Sequence, residues 1–323
     1  MIHSPKSVER RKASGAFARH ERYKKLSCLI CGSNNKQEEF CQVKDLEYAT
    51  YKPVNYSMCG DCGFLTQEPM PSRKDIITFY PDEYRNYLPI DKGFFSFFKK
   101  SQFKNLAKKI SNGIPTESNI LEIGFGNGAL LKTLCKIGFT NLYGIDFVSN
   151  NGSDLSSYGI KTHYQNAEEG ISFNKTFDLI IMNNVIEHFT SPLKVLQNCR
   201  EKLTKGGKVI LLTPNSNAFE FMIFGKYWAG FHAPRHTYIF NNKNIKLVAS
   251  QLGYSNVMVQ PETDPGQWSI SIQNMLQNNK LTKTKLKNGM SWYLLPLSLI
   301  VTPIAILQNV IGKSTSIMCT LKN

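Results

Sequence analysis

Apolar stretches of strand length alternate with amphipathic stretches of helix length between Asn119 and Pro261. The strand patterns lie at residues 119–125, 142–147, 177–189 (where a loop follows the strand), 205–215 and the end of 244–261. The helical patterns lie at 128–139, 191–203 and the first part of 244–261, where Gly253 is expected to end the helix. Strands that alternate with helices of this length form a parallel sheet covered by helices, so the pattern predicts an α/β protein.

The flanking segments have different patterns. Ser72 is predicted to begin a helix in a stretch that mixes prolines with aromatic residues. Residues 94–110 fit a basic amphipathic helix, with five lysines, no acid and four phenylalanines among the first five positions. The resulting division is a basic flexible arm at 1–25, a cysteine-containing module at 26–68, a helical lid or linker at 69–115, a core formed by 116–261 and 314–323, and an apolar insertion at 262–313.

The stretch at 290–311 carries no charge over 22 residues. A helix of about 20 apolar residues can span a bilayer, but Pro296 and Pro303 interrupt this one. A last strand is predicted at 314–322 and must return to the sheet, which a single crossing would prevent. We therefore expect a hairpin that lies on an anionic membrane surface, beside the basic helix 94–110. The alternative is a buried helical hairpin or a dimer contact.

The formal net charge of +15 and the pI of about 9.4 indicate an acidic partner. Nucleic acid, an anionic membrane surface and a phosphorylated substrate all fit that balance. The basic N-terminus lacks the apolar core of a secretory signal. We therefore expect a cytoplasmic protein that associates peripherally with the membrane and works in a reducing compartment.

A glycine-rich turn joins the first predicted strand of the core to its first helix. The sequence LEIGFGNGALL (121–131) places Gly124, Gly126 and Gly128 at alternate positions. Glycines there let the backbone turn tightly and approach a ligand, and the third lets the helix pack closely. Asp146 ends the next strand, about 20 residues beyond the loop, where ribose hydroxyls would need an acceptor. The pattern favours a nucleotide-binding site over a purely structural turn.

Two cysteine pairs precede this core. Cys28 and Cys31 form the first C-x2-C pair, Cys59 and Cys62 form the second, and a glycine follows each pair. The 27 residues between the pairs exceed the usual spacing of about 15–20. Four thiolates in two such turns are typical of a closed, structural zinc site. Disulfides or free thiols are the alternative.

Four stretches, in order, resemble the successive motifs of class I S-adenosylmethionine-dependent methyltransferases: LEIGFGNGALL, LYGIDF, FDLIIMNNVIEHF and KGGKVILLTPN. The resemblance implies a Rossmann-like sheet of seven strands whose last strand is antiparallel. It implies that the glycine loop holds the methionine and ribose of the cofactor, with Asp146 on the ribose hydroxyls. In QNAEE (165–169), Asn166-Ala167 stands where the family often has Asp-Ala against adenine. The cofactor-binding residues expected are Glu122, Gly124, Gly126, Gly128, Asp146, Asn166, Ala167 and Asn183.

Methyl transfer requires that the nucleophile be aligned and its proton removed, and histidine suits the second task near neutral pH. Glu187 and His188 lie in the loop that ends the stretch 177–189, just after its strand. They resemble the Glu-His pair of small-molecule methyltransferases, including those of ubiquinone biosynthesis. Some of those enzymes carry a further upstream glutamate and bind a metal, whereas this chain has Asn184. His188 is thus a candidate base. The alternative is that it only supports the cofactor loop.

A second candidate site for the catalytic base is the stretch KYWAGFHAPRHTYIF (226–240). It resembles the H-x-P-R-H stretch of methyltransferases in bacterial glycan and secondary-metabolite pathways. His232 and His236 are candidate bases there, and Arg235 is predicted to bind an anionic group of the acceptor. The alternative is a loop packed by its aromatics, with Arg235 ion-paired to the core.

The N-terminal half also resembles known enzymes. The cysteine module followed by FYPDEYRNY resembles sugar C-methyltransferases and related glycan-modifying enzymes, in which a zinc module helps cover the substrate. Tyr84 of that stretch is a candidate for lining the acceptor pocket, and core packing is the alternative. Glu187, from the loop discussed above, is the other candidate substrate residue.

These features predict a zinc-stabilised methyltransferase of a small molecule or glycan, associated with a membrane surface. The expected acceptor is a sugar, free or on a polyprenyl carrier, or a quinone-like lipid. An RNA methyltransferase that grips phosphates with its zinc ribbon and basic surface is the first alternative. The loop after the strand at 177–189 begins NNVI and lacks the Asn/Asp-Pro-Pro-aromatic run of base-methylating enzymes, which makes nucleic acid the less favoured partner. A non-catalytic, cofactor-binding scaffold protein is the second alternative.

Overall fold

The computed structural model describes residues 27–81, 84–88, 94–148 and 155–323, so the predicted arm at 1–25 lies outside them. The strands are β1 (Lys36–Val43), β2 (Val54–Cys59), β3 (Leu65–Glu68), β4 (Ile120–Ile123), β5 (Leu142–Asp146), β6 (Lys161–Tyr164), β7 (Phe177–Asn183), β8 (Leu203–Pro214), β9 (Tyr238–Ile239), β10 (Asn256–Glu262) and β11 (Ser316–Lys322). The α-helices are α1 (Arg73–Thr78), α2 (Phe94–Ile110), α3 (Ala129–Lys136), α4 (Pro192–Glu201), α5 (Phe219–Phe224), α6 (Asn242–Gln251), α7 (Pro265–Asn278) and α8 (Leu294–Val310).

Seven strands form the central sheet in the order β10-β11-β8-β7-β4-β5-β6. The pairs among β4 to β8 are parallel, whereas β11 runs antiparallel to both β8 and β10. This confirms the predicted Rossmann-like α/β sheet and its antiparallel last strand. The carboxyl ends of β4, β5 and β7 meet at one edge, where ligands bind in open parallel sheets.

Both faces of the central sheet are buried, which explains why its strands are continuous apolar runs. Ile120, Leu179 and Ile181 pack on the face covered by α2 and α3. Leu121 and Ile180 point the opposite way, because side chains alternate along a strand, and pack against α4 and α6.

A smaller antiparallel sheet has the order β1-β2-β3-β9. Its fourth strand comes from the loop after β8, where Tyr238 and Ile239 pair with Thr66 and Leu65. The N-terminal segment and that loop therefore share one sheet. The division of the chain at residue 68 remains a prediction.

The two helices predicted between the N-terminal module and the core are confirmed. Ser72 caps α1 in a capping box with Asp75, in which each side chain bonds the other residue's backbone N–H. The basic helix α2 spans Phe94–Ile110 and packs through Ala107 and Ile110 onto the sheet and α3.

The apolar insertion forms a helix pair between β10 and β11. The Trp268 indole of α7 donates to Gln308 of α8 at 3.1 Å, and the Ser269 and Ser298 hydroxyls lie 2.8 Å apart. Pro303 lies inside α8. Among the residues described, none of the helices combines the length and the apolar character that crossing a bilayer requires.

Candidate active site

Three glycines with positive φ shape the turn between β4 and α3. The φ angles are 74° at Gly124, 51° at Gly126 and 71° at Gly128, a region that other residues rarely adopt. A Cβ on Gly124 would lie 2.4 Å from the Val185 side chain, and one on Gly126 would lie 2.8 Å from the Asn86 carbonyl oxygen. Both conformation and space therefore require glycine, and the backbone fixes the shape of the loop.

Two buried carboxyl groups face this loop. Asp146 Oδ2 accepts from the Gly126 N–H at 2.8 Å, and Oδ1 accepts from the Val148 N–H at 3.1 Å. Burial raises the pKa of Asp146, although these backbone donors oppose that effect. Glu122 is also buried, its Oε2 has no hydrogen-bond partner, and burial raises its pKa well above the ordinary value. The pair fits a ligand that brings hydroxyl or ammonium protons, as S-adenosylmethionine does.

A cavity of about 520 Å³ opens at the carboxyl edge of the sheet. Seven of the eight predicted cofactor residues line it: Glu122, Gly124, Gly126, Asp146, Asn166, Ala167 and Asn183. Gly128, the eighth, is the residue that precedes α3. The Asn166 side chain also caps the short turn at 167–169 by accepting from the Glu168 N–H at 2.9 Å. The structure thus brings the predicted cofactor residues to one place.

Aromatic side chains form another part of the wall of this cavity. Tyr80 lies 5.0 Å from Tyr84, 5.5 Å from Phe147 and 6.1 Å from His188, measured between ring centroids. These rings, together with Tyr87, line the cavity, as do the basic residues Arg73, Arg85 and Lys99. A flat ring that carries an anionic group suits such walls.

Of the three candidate histidines, His188 lines this cavity. Its Nδ1 lies 3.1 Å from the Arg235 carbonyl oxygen and 2.9 Å from the Tyr80 hydroxyl. Because a carbonyl only accepts, the ring donates to Arg235 through Nδ1, and a contact with the Asn184 backbone also acts on the ring. Burial, aided by the nearby His232, lowers the pKa of His188 to about 3, so the ring is neutral near pH 7.

His236 and Glu187 lie behind His188 and do not line the cavity. His236 Nδ1 donates to the Gly230 carbonyl at 2.7 Å, and its Nε2 lies 3.8 Å from Glu187 Oε1. Burial raises the pKa of Glu187 to about 8. Donor atoms of Glu187, His188 and His236 lie within 4.8 Å of one another, a spacing that could hold a metal ion. The predicted acceptor contact through Glu187 does not fit this position.

Arg235 does not occupy the place predicted for it. Its side chain is fully buried, its guanidinium donates to both Asp45 oxygens at 3.1 and 3.3 Å, and it lies 4.5 Å from the Tyr48 ring centroid. A guanidinium held in this way cannot reach an acceptor in the cavity. The ion pair with the core, the alternative stated above, is the arrangement observed.

His232 belongs to a buried chain of hydrogen bonds. Its Nδ1 donates to Glu47 Oε1 at 2.6 Å, which leaves Nε2 to accept from the Tyr84 hydroxyl at 3.2 Å. Burial alone would raise the pKa of Glu47, but His232 and Arg85 outweigh it and lower that pKa to about 2. His232 therefore contacts the lining of the cavity through Tyr84.

Asp45 and Glu47 are the site residues that the sequence reasoning missed. Both lie in the turn after β1 and reach the histidine loop from the N-terminal module. The sequence gives no signal for them, since their partners lie 190 and 185 positions away.

The four paired cysteines converge on one point. Their Sγ atoms lie within 4.8 Å of one another, with 3.6 Å between Cys28 and Cys62 and 3.5 Å between Cys31 and Cys59. All eight cysteines are free, so disulfides do not hold the cluster. A tetrahedral zinc ion with bonds of about 2.3 Å needs sulfurs roughly 3.8 Å apart, which this spacing fits.

Comparison with known proteins agrees with this geometry. A family model described as a methyltransferase domain matches residues 92–259, more than half of the chain. The chain is 30% identical over 140 residues to a ubiquinone biosynthesis O-methyltransferase of Cereibacter sphaeroides, covering 41% of this chain and 56% of that one. A relative of the same name from Maricaulis maris is 30% identical over 131 residues, covering 38% and 51%. The chain thus spans about half the length of the curated relatives it matches.

Solved methyltransferases align with the chain at lower identity. Phosphoethanolamine N-methyltransferase 2 of Haemonchus contortus, in complex with S-adenosyl-L-methionine, aligns with a TM-score of 0.48 and 16% identity. The alignment covers 79% of this chain and 58% of that one. With the family match over residues 92–259, the glycine loop and the seven-stranded sheet, the chain belongs to the class I S-adenosylmethionine-dependent methyltransferases.

Proposed function

We propose that this protein transfers a methyl group from S-adenosylmethionine to a small-molecule or glycan acceptor. The observation that carries the proposal is the cavity, in which a glycine loop with two carboxyl groups faces an aromatic wall with a neutral histidine. The first end suits the cofactor and the second suits a nucleophile that must lose a proton.

The residues at the first end fit the cofactor. The unpartnered Glu122 Oε2 and the free lone pairs of the Asp146 carboxylate can accept from the ammonium and ribose hydroxyl groups of the ligand. Asn166 and Ala167 would lie along the adenine. When bound, S-adenosylmethionine supplies a methyl group that its sulfonium already activates.

His188 is the proposed base. It is the histidine of the two candidate sites that lines the cavity, and the Arg235 carbonyl orients its ring through Nδ1. His232 and His236 then act as positioning residues, the first through the Tyr84 hydroxyl and the second through its edge contact with the His188 ring at 4.6 Å. An acceptor hydroxyl held against the aromatic wall would lie within reach of both the base and the methyl group.

The proposed acceptor is a ring that bears an anionic group, in the form of a lipid-linked sugar phosphate. Tyrosines can stack on a sugar or quinone-like ring, and Arg73, Arg85 and Lys99 add positive charge to the lining of the cavity. Glu168 and Glu169 pair with Arg73, and Glu47 lies 3.5 Å from Arg85, so the wall is only moderately positive. A single phosphate or pyrophosphate matches that charge better than a polyanion does.

The cysteine cluster is proposed to bind one structural zinc ion. Four thiolates leave no open position for substrate, so the ion would fix the N-terminal module and, with it, Asp45 and Glu47. Metal analysis of the purified protein should find about one zinc per chain, and Cys59→Ser should lower that content.

The function is tested by methyl transfer from radiolabelled S-adenosylmethionine to three pools: a lipid extract that contains polyprenyl-linked sugars, a set of quinone-like phenols, and total RNA. We expect label in a small molecule, the largest share in the lipid-linked pool, and none of it sensitive to RNase. Label only in RNA would overturn the proposal. If the protein binds the cofactor but transfers no label to any pool, the result would favour the non-catalytic scaffold alternative.

A further inference from the structure

One side of α8 exposes apolar side chains to solvent. Ile300 is 72% exposed and Val310 is 80% exposed, and Leu299, Ile304, Leu307 and Ile311 are exposed as well. The opposite side of the helix is buried through Leu294, Val301 and Ala305 against α7 and its neighbours. Within the described ranges the exposed side therefore has no partner, although a contiguous apolar patch of this kind is unusual for a surface that faces only water.

α5 also exposes apolar side chains, and it is hydrogen-bonded to the segment that follows α8. The Phe219 N–H of α5 donates to the Lys313 carbonyl, just after α8, at 3.1 Å. Met222 and Ile223 of α5 are 70% and 53% exposed. We call the exposed side chains of α5 and α8 the apolar face.

The chain around the apolar face is basic. Residues 265–323 contain six lysines and no acid, and four of the lysines lie between 280 and 287. Trp292 follows that loop and is 78% exposed. Lysines beside an exposed tryptophan and aliphatic residues are the composition of segments that bind the interface of anionic bilayers.

The basic helix α2 ends close to the apolar face. Lys109 pairs with Glu262, and Asn309 of α8 donates to the neighbouring Thr263 hydroxyl. On α2, exposed Lys100, Lys104 and Lys108 follow one another at intervals of four residues and so share one side of the helix. No ion pair involves these three lysines in the portion of the chain that the structure covers.

The apolar face lies towards the ligand edge of the sheet. β11 follows α8, and its first residue Ser316 pairs with Pro214, the last residue of β8. α5 begins five residues after Pro214. The helices that carry the face are therefore connected to the carboxyl end of β8, the edge at which the cavity opens.

We propose that the apolar face, with the lysines beside it, docks the protein on the surface of an anionic phospholipid bilayer. The face inserts side chains at the headgroup level, and the lysines attract the acidic lipids. Charge complementarity favours lipid over a second copy of this chain, because two such surfaces would bring lysines against lysines. The inference deepens the proposed function by placing the cavity at the surface that holds a lipid-linked acceptor.

The test is cosedimentation of the full chain with vesicles of phosphatidylcholine, with or without about a third of phosphatidylglycerol. We expect binding to the anionic vesicles only, weakened by high salt. The double variant Ile300→Asp, Leu307→Asp should bind at least about tenfold less, since two apolar side chains no longer insert. The matched control is Met258→Asp with Tyr158→Asp, which changes exposed apolar residues elsewhere.

Circular dichroism of each variant separates loss of folding from loss of docking. A parent protein that ignores anionic vesicles, or a face variant that binds as the parent does, would overturn the proposal. A parent dimer that Ile300→Asp dissociates would also overturn it, because a second copy would then cover the face. Vesicle binding does not require methyl transfer, so its failure is distinguishable from failure of the proposed function.

Discussion

The two ends of the cavity are built in different ways. The cofactor end is made by backbone: three glycines with positive φ and the Asp146 carboxylate, which accepts from two backbone N–H groups. The proposed acceptor end is made by side chains from separate parts of the chain, where Asp45 and Glu47 hold Arg235 and His232. Because the two ends use different residues, substitutions at the acceptor end should lower methyl transfer without lowering the affinity for the cofactor.

Replacement of His188 should give the largest difference between the effect on turnover and the effect on cofactor affinity. His188→Ala removes the proposed base, and turnover should fall about 10²–10⁴-fold. The affinity for S-adenosylmethionine should stay within about twofold of the parent, because the loop and Asp146 are untouched. Steady-state rates with calorimetric titration of the cofactor measure both quantities.

His163→Ala is the control for this replacement. His163 stacks on Phe173 away from the cavity, so its loss should leave turnover near the parent level. Turnover by His188→Ala at the rate of the control would show that the proton leaves by another route.

Breaking the Asp45–Arg235 pair should destabilise the fold. Asp45→Asn leaves the buried guanidinium without its counter-charge and should cost about 3–5 kcal/mol of unfolding free energy. Urea denaturation measures it, with the exposed carboxylate of Glu201 changed to Gln as the control, which should shift stability by less than about 0.5 kcal/mol. Equal midpoints for the two variants would mean that the pair does not hold the acceptor end together.

Glu187 makes the stability depend on pH. Burial raises its pKa from the ordinary 4.5 to about 8, so the native state retains a proton that the unfolded chain releases. The stabilisation that comes from this retained proton is complete below pH 4.5. As the pH rises from there towards about 8, the free energy of unfolding falls by up to about 1.4 kcal/mol per pH unit. Glu187→Gln should flatten that part of the curve between pH 5 and 8. Parallel curves for parent and variant would place the Glu187 carboxyl in a more polar setting.

Glu47 should show the smallest effect on activity. Glu47→Gln weakens the hold on His232 and, through it, on the Tyr84 hydroxyl, and should lower kcat/KM for the acceptor by about tenfold. The effect of Tyr84→Phe should shrink in the Glu47→Gln background, because both act through one chain of hydrogen bonds. Additive effects of the two substitutions would assign Glu47 a separate, structural role.

The sequence predicts the cofactor end because its determinants are local. Gly126 and Asp146 are 20 positions apart, and the strand–turn–helix pattern brings them together without knowledge of the rest of the fold. The antiparallel last strand and the cysteine cluster are likewise placed by short motifs or by resemblance to the family.

The acceptor end depends on pairings that a single sequence does not encode visibly. The loop at 226–240 drew attention to Arg235, but its partner Asp45 lies in a turn after β1. Two residues of that loop form β9 and join β3, which ties the loop to the N-terminal module. The choice among three histidines therefore follows from tertiary structure and not from spacing.

The most direct measurement is calorimetric titration of S-adenosylmethionine into the parent, Asp146→Asn and Asp45→Asn, at a temperature where all three are folded. The account predicts binding by the parent, affinity reduced about 10–100-fold by Asp146→Asn because a charged acceptor is lost, and near-parent affinity for Asp45→Asn. Absence of binding by the parent, or equal binding by the parent and Asp146→Asn, would contradict it.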